Sequence, residues 1–196
     1  MPYNPNNHHR RSIRLKGYDY SQAGMYFVTI CCQDKVCRFG KIKNGEMILN
    51  DFGKIAYEEW IKLSERYPNV LLDAFQIMPN HIHGIIALEN VATRIVGATL
   101  AVAQNENADI PNNGANQWAT ARVAPTIAIG NIIGAYKSLT VNQCLKICKS
   151  RNEYIGKLWQ RNYWEHIIRN EQSYQRIANY IINNSANWKK DKFCTK

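Results

Sequence analysis

Two histidines separated by a single residue, His81 and His83, are the residues of this sequence whose types and spacing best fit a chemical role. They begin an apolar run, 81–88, that has the composition of a β-strand. Side chains alternate between the two faces of a strand, so His81 and His83 point the same way and Ile82 points to the other side. Two imidazoles so arranged can chelate one divalent cation. The spacing alone leaves two interpretations open: two metal ligands, or two unrelated histidines on a partly exposed strand.

A tyrosine hydroxyl is the second candidate reactive group, and the chain has eleven tyrosines. A phenol with a pKa near ~10 is almost fully protonated at pH 7, so it attacks a phosphodiester only with help from its surroundings. Tyr136 lies in a long stretch of helical periodicity, where a tyrosine is more typical of an amphipathic core than of a nucleophile. Tyr154, Tyr163 and Tyr180 are its rivals.

The elements that must position these groups follow from apolar periodicity. Strands are predicted at about 25–32, 39–43, 46–49, 70–78, 81–88 and 164–169, with a tight hairpin turn at Asn44-Gly45. Helices are predicted from Asp51, as the N-cap, to about 67, and over about 127–149 and 171–183. Strands grouped around helices without regular βαβ alternation favour an α+β fold with an antiparallel sheet.

The 196 residues fit one domain with extensions. Residues 1–24 form a polar basic arm, and residues 25–196 form one domain interrupted by a variable insertion at about 89–126. That insertion is rich in Ala, Asn, Gly and Thr, and its short, irregular internal echoes argue against a folded repeat.

The formal net charge is +10, which is compatible with a polyanionic partner and equally with a merely solvated surface. The excess lies at the two ends, because residues 131–196 hold twelve basic and four acidic residues while the middle is nearly neutral. If the partner is a nucleic acid, basic residues of both ends are expected to contact its phosphates: Arg10, Arg11, Arg14, Lys16, Lys137 and Arg161.

The six cysteines show no recurring CxxC pair, and the N-terminus lacks the apolar run of a signal peptide. Reduced thiols in a cytoplasmic protein are therefore expected. No run of 18 apolar residues is present, so the sequence predicts no membrane span.

Several segments together resemble the REP-associated tyrosine transposases. The resemblance rests on Met78-Pro79-Asn80-His81-Ile82-His83, on the aromatic strand Tyr26-Phe27-Val28-Thr29, and on Gly156-Lys157-Leu158-Trp159-Gln160 followed by Glu165-His166-Ile167-Ile168-Arg169-Asn170. It covers most of residues 15–194 apart from the insertion, and the combination is more specific than any one motif.

The resemblance implies a ferredoxin-like antiparallel sheet with helices packed on one face, the histidines on a central strand, and one nucleophilic tyrosine on a helix behind it. It implies a metal-dependent nuclease and transposase that cleaves single-stranded, hairpin-associated DNA through a 5′-phosphotyrosine, using Mg²⁺ or Mn²⁺. The place of the family helix after the insertion selects Tyr136 as the nucleophile. Acting on chromosomal DNA would associate this cytoplasmic protein with the nucleoid.

The sequence departs from the transposase pattern at one point. Relatives often carry a Gln four residues after the tyrosine as a third metal ligand, whereas Thr140 stands at that distance from Tyr136. The third ligand, and the choice between monomer and homodimer, stay open. A catalytically silent DNA-binding protein of the same fold is the alternative function. An RNA-binding sheet is disfavoured because the aromatic RNP1 pattern is not found.

Overall fold

The computed structural model describes residues 14–89 and 127–194. The arm residues before 14, including Arg10 and Arg11, and nearly all of the predicted insertion lie outside these ranges. The strands are β1 (Gly24–Cys31), β2 (Gly40–Lys43), β3 (Glu46–Leu49), β4 (Val70–Ile77), β5 (His81–Leu88) and β6 (Trp164–Ile168). The helices are α1 (Asp51–Ile61), α2 (Leu63–Arg66), α3 (Ile129–Ser150) and α4 (Glu171–Ile182), with 3-10 turns at Gln33–Lys35 and Trp188–Lys190.

Four strands form an antiparallel sheet in the order β4-β5-β1-β6. This order, with α1 between β1 and β4 and α3 between β5 and β6, is the ferredoxin-like arrangement, and the predicted fold class is confirmed. β5 is central, and its register pairs Thr29 of β1 with His83. The hairpin β2–β3 lies outside this sheet and turns at Asn44-Gly45, as predicted, with φ values of 53° and 81° that suit a two-residue turn.

Helices α1 and α3 pack on one face of the sheet over the main hydrophobic core, which includes Ile82 and Ile86 of β5. Gly84 allows this close approach, because a Cβ there would lie 2.3 Å from Cζ2 of Trp60. Helix α1 starts one residue earlier than predicted. Its N-cap is Asn50, whose side chain accepts a hydrogen bond from the Gly53 amide at 3.0 Å, and not Asp51.

Helix α4 lies on the opposite face of the sheet, an addition to the predicted arrangement with all helices on one face. Ile177 and Ile181 of α4 pack against Ile85 of β5 and Ile168 of β6 in a second, smaller core. Because Ile85 has the same strand parity as His81 and His83, α4 covers the face that carries both histidines.

Residues 14–89 and 127–194 have two further features. No helix in them is long and apolar enough to span a bilayer. All six cysteines are free thiols, as the sequence predicted.

Candidate metal centre and its tyrosine

Strand β5 places the two histidines side by side on the α4 face, with ring centroids 4.4 Å apart. Ile82 between them is fully buried in the core on the opposite face, so the alternation predicted from the sequence is present. Both imidazoles are almost fully buried, at 0% exposure for His81 and 1% for His83. Because both histidines are buried, each ring nitrogen is expected to have a hydrogen-bond partner or to bind a metal.

Asn80 sets the proton position on His81. The Asn80 amide nitrogen donates to the carbonyl oxygens of Lys35 at 2.9 Å and Phe193 at 2.8 Å, so its Oδ1 is the acceptor that faces Nδ1 of His81 at 2.8 Å. Nδ1 of His81 must then carry the proton, which leaves Nε2 with a free lone pair. That Nε2 is buried and has no hydrogen-bond partner among the described residues. A buried, unpartnered imidazole nitrogen is the arrangement expected of a metal ligand.

His83 is held from both sides. Its Nδ1 lies 2.8 Å from the Thr29 hydroxyl on the neighbouring strand, and its Nε2 lies 3.1 Å from the Tyr180 hydroxyl on α4. Thr29 thus orients the ring from behind, as a second-shell partner does for a ligating histidine. The Nε2 atom is directed towards α4.

Tyr180 stands at the end of α4 among polar groups. Its hydroxyl donates to Oδ2 of Asp191 at 3.1 Å, and the Asn184 amide donates to the same oxygen at 2.8 Å. Asn184 lies four residues after Tyr180, about one helical turn along, and its buried Oδ1 has no hydrogen-bond partner within residues 14–89 and 127–194. The tyrosine as a whole is 40% exposed.

The electrostatics of the site keep both imidazoles neutral. Burial lowers the pKa of His81 to about 3, with a further contribution from the nearby Lys192. Burial and the neighbouring His81 hold the pKa of His83 well below its usual value, although Asp191 acts in the opposite direction. Burial, followed by the Asp191 charge, raises the pKa of Tyr180 to about 12. Neutral imidazoles are competent ligands, whereas the tyrosine needs activation.

The segment after α4 covers the histidines. The Phe193 ring lies 4.6 Å from the His81 ring and 5.9 Å from the His83 ring, and Trp188 lies 5.9 Å from His81. The hydrogen bond from Asn80 to the Phe193 carbonyl fastens this cover. Phe193 and Trp188 therefore help to shield the two imidazoles from solvent.

The residues present fit a divalent metal. His81, His83 and Asp191 each offer one ligand atom, and these atoms lie within 4.8 Å of one another. The Asn184 side chain, whose amide donates to Asp191 Oδ2 at 2.8 Å, lies next to this group. Two imidazole nitrogens with carboxylate and amide oxygens form a mixed donor set that Mn²⁺ or Mg²⁺ can accept. Asp191 is an oxygen donor within reach of both histidines, at a position that the sequence prediction had left open.

Tyr136, predicted as the nucleophile, lies on the other side of the sheet, and the structure contradicts its placement with the histidines. Its side chain is fully buried between α1 and α3, edge-on to Trp60 at 5.4 Å, and its hydroxyl donates to the Ala56 carbonyl at 2.8 Å. Burial raises its pKa well above the usual value. No substrate can reach this hydroxyl without unpacking α3 from the core.

The residues predicted to contact DNA differ in their exposure and in their hydrogen bonds. Lys16 and Arg161 are exposed. Arg14 pairs with Glu165 at 3.5 Å and donates to the Tyr163 hydroxyl at 3.1 Å, and about half of its side chain remains exposed. Lys137 donates to three backbone carbonyls of residues 160–162, so its ammonium group supports a loop and is not presented to a phosphate.

Comparisons with known proteins and the fold indicate the same class of protein, the tyrosine transposases. No protein-family model matches the chain. An uncharacterised protein of Haemophilus influenzae is 41% identical over 189 residues, covering 96% of this chain and 95% of that one, and the two belong to one family. A second Haemophilus influenzae protein, provisionally named a REP-associated tyrosine transposase, is 24% identical over 167 residues, which are 85% of this chain and 72% of that one.

A solved structure has a fold similar to that of this chain. The structure of a REP-associated tyrosine transposase bound to a REP hairpin matches with a TM-score of 0.52 and 17% identity, covering 91% of this chain and 76% of that one. The chain therefore has a transposase-like fold. The resemblance to REP-associated tyrosine transposases that the sequence motifs indicated is confirmed.

Proposed function

We propose that this chain is a metal-dependent single-strand DNA endonuclease and strand transferase with Tyr180 as its nucleophile. The observation that carries the proposal is the position of the Tyr180 hydroxyl, 3.1 Å from both His83 Nε2 and Asp191 Oδ2. The hydroxyl of a half-exposed tyrosine beside a pair of neutral imidazoles and a carboxylate has the parts that phosphodiester transfer requires.

His81 and His83 would hold the metal through their Nε2 atoms, with oxygens of Asp191 and Asn184 completing the protein ligands. When bound, Mg²⁺ or Mn²⁺ would polarise the scissile phosphate and offset the charge that builds up during attack. Asn80 would keep the His81 ring in the ligating tautomer through Nδ1, and Thr29 would hold the orientation of the His83 ring.

In the transfer step, the Tyr180 oxygen forms a bond to phosphorus while the bond from phosphorus to the 3′ oxygen breaks. The phenol proton passes to the Asp191 carboxylate that already accepts its hydrogen bond, and the leaving 3′ oxygen takes a proton from water. The products are a 5′-phosphotyrosine and a free 3′-hydroxyl. Attack on the phosphotyrosine by a 3′-hydroxyl reverses the step and joins strands without a nucleotide cofactor.

Hairpin-associated single-stranded DNA is the proposed substrate. The structural neighbour is bound to a REP hairpin, and this chain carries a net charge of +10 that suits a polyanion. Since Tyr180 and both histidines come from one chain, one copy suffices to build the site in cis. Acting on chromosomal hairpins would associate the protein with the nucleoid.

A catalytically silent DNA-binding protein is the second candidate. The observation in its favour is the cover over the histidines, which leaves at most 1% of either side chain exposed.

Incubation of the protein with a 5′-labelled and with a 3′-labelled hairpin oligonucleotide, in Mn²⁺, Mg²⁺ or EDTA, separates the two functions. The nuclease forms a metal-dependent covalent adduct that survives denaturing electrophoresis and retains only the 3′ label. Binding without any adduct in either metal would favour the silent protein.

A further inference from the structure

A basic cleft opens beside the histidine pair, between the turn of the β2–β3 hairpin and the segment that follows α4. Its volume is about 680 Å³. Its lining includes three lysines, one tryptophan and two asparagines: Lys43, Asn44, Asn187, Trp188, Lys189 and Lys190. The proposed transfer reaction uses none of them.

The turn of the hairpin forms one wall of the cleft by close approach to the opposite wall. A Cβ on Gly45, whose φ is 81°, would lie 3.6 Å from Cα of Ala186. The two walls are therefore in near contact at Gly45 and Ala186, and the three lysines of the lining are exposed. A two-residue turn holds that wall in one conformation.

The charge of the cleft is one-sided. No acidic side chain is among the described residues that line it. Glu46 pairs with Lys43 across the hairpin register and offsets part of that charge, so Lys189 and Lys190, both exposed, contribute most of the positive potential. Such a surface attracts phosphate groups.

Trp188 joins the cleft to the candidate metal centre. Its indole lines the cleft and lies 5.9 Å from the His81 ring, tilted by 31°. An aromatic ring flanked by lysines is the usual means of holding an unpaired nucleotide, by base stacking on the ring and phosphate contacts to the cations. A base on Trp188 would be next to the phosphate that reacts at the histidines.

We infer that this cleft binds one unpaired nucleotide of the DNA strand that runs into the site, with its base on Trp188 and its phosphates at Lys189 and Lys190. The inference rests on the proposed function, because it assumes that a single strand approaches the histidines. It assigns the single-stranded flank, and not the duplex stem, to this surface.

Equilibrium binding of two labelled oligonucleotides tests the assignment in EDTA, where cleavage plays no part. One is a hairpin with an unpaired flank, and the other is the same hairpin trimmed to its stem. Trp188→Ala should weaken binding of the flanked hairpin about tenfold, within the range that loss of one stacked base gives. Binding of the stem alone should not change, and Trp188→Phe should recover most of the lost affinity.

A paired-lysine variant gives an independent reading that does not disturb the packing of Trp188. Lys189→Gln with Lys190→Gln should reduce the slope of log affinity against log salt by about 1.4, for two phosphate contacts on a single strand. The matched control is Lys146→Gln with Lys149→Gln, which removes two exposed lysines from α3 and should leave the difference between the two oligonucleotides unchanged.

The outcomes separate the inference from the proposed function. Equal losses on flanked and trimmed hairpins, or no loss on either, would overturn the inference, while an adduct formed by the same preparations in Mn²⁺ would leave the proposed function standing. Flank-dependent binding through Trp188 without any adduct would support the inference and contradict the proposed catalytic function. A wild-type protein that binds neither oligonucleotide overturns both.

Discussion

The hydroxyl of Tyr180 lies 3.1 Å from Nε2 of His83, although 97 residues separate the two in sequence. This contact exists because α4 crosses the face of the sheet to which β5 directs its odd-numbered side chains. Tyr136 lies behind the same strand, on the face to which Ile82 points. The sheet therefore separates the two candidate nucleophiles, and only Tyr180 shares a pocket with the histidines.

Tyr180→Phe should abolish the covalent adduct and leave DNA binding nearly unchanged. The substitution removes one hydroxyl and keeps the ring, whose edge-on contact with Phe27 at 6.3 Å should persist. The measurement is adduct formation in Mn²⁺ together with binding of the same oligonucleotide in EDTA. An adduct that persists at the wild-type level would remove Tyr180 from the mechanism.

Tyr136→Phe is the matched control, because it makes the same chemical change on the other side of the sheet. The adduct should form at the wild-type rate. The free energy of unfolding should fall by about 1 kcal/mol, since the buried hydrogen bond to the Ala56 carbonyl is lost. The reverse pattern, with loss of the adduct only in Tyr136→Phe, would show that α3 leaves the core during catalysis.

The histidine pair could be predicted from the sequence because strand alternation is a local rule. The nucleophile could not be chosen in this way, since the choice depends on which helix packs on the histidine face. Asp191 is 108 residues from His83 in the chain, and no spacing rule connects them. Tertiary packing brings them together.

One signal for the nucleophile was nevertheless present in the sequence. Only Tyr3, Tyr18 and Tyr180 have an amide side chain four residues later. Of these, Tyr180 alone lies on a predicted helix, with Asn184 one turn further along. In the transposase pattern an amide side chain often stands four residues after the tyrosine, and Thr140 does not supply it for Tyr136. When this criterion is applied to every tyrosine on a predicted helix, it selects Tyr180.

Asn80→Ala should weaken Mn²⁺ binding by roughly 10–100-fold, the usual cost of losing a second-shell partner of a ligating histidine. Without the Asn80 oxygen, His81 is free to take the tautomer that protonates Nε2 and blocks ligation. Electron paramagnetic resonance of free Mn²⁺ measures the affinity. Asn142→Ala, an exposed amide on α3, is the control and should bind Mn²⁺ as the wild type does. Equal affinities in all three proteins would contradict the role given to Asn80.

Phe193→Ala should expose the histidines to reagents in solution. The Phe193 ring covers both imidazoles, and removal of a buried aromatic ring typically costs about 3–5 kcal/mol of packing, part of which is available for local opening. Carbethoxylation by diethylpyrocarbonate, read by peptide mass spectrometry, should become roughly tenfold faster or more at His81 and His83. His166, which is already exposed, is the internal reference. Rapid modification of the pair in the wild type would show that the cover is open in solution.

The metal-free protein should lose stability as pH falls below about 6.5, and the buried histidines should account for part of that loss. The folded pKa of His81 is about 3 and that of His83 is well below 6.5, whereas both titrate normally when unfolded. Between these limits the unfolded chain binds more protons, so the free energy of unfolding rises with pH and is lost on acidification. Each histidine contributes a slope of up to about 1.4 kcal/mol per pH unit.

Urea unfolding in EDTA from pH 7.5 to 5 measures this slope, and it should be shallower in His81→Gln and shallower again in the double Gln variant. Carboxylates titrate alike in all three proteins, so their contribution cancels in the comparison. An identical slope in all three would mean that the imidazoles already gain protons in the folded state and are not held neutral for a metal.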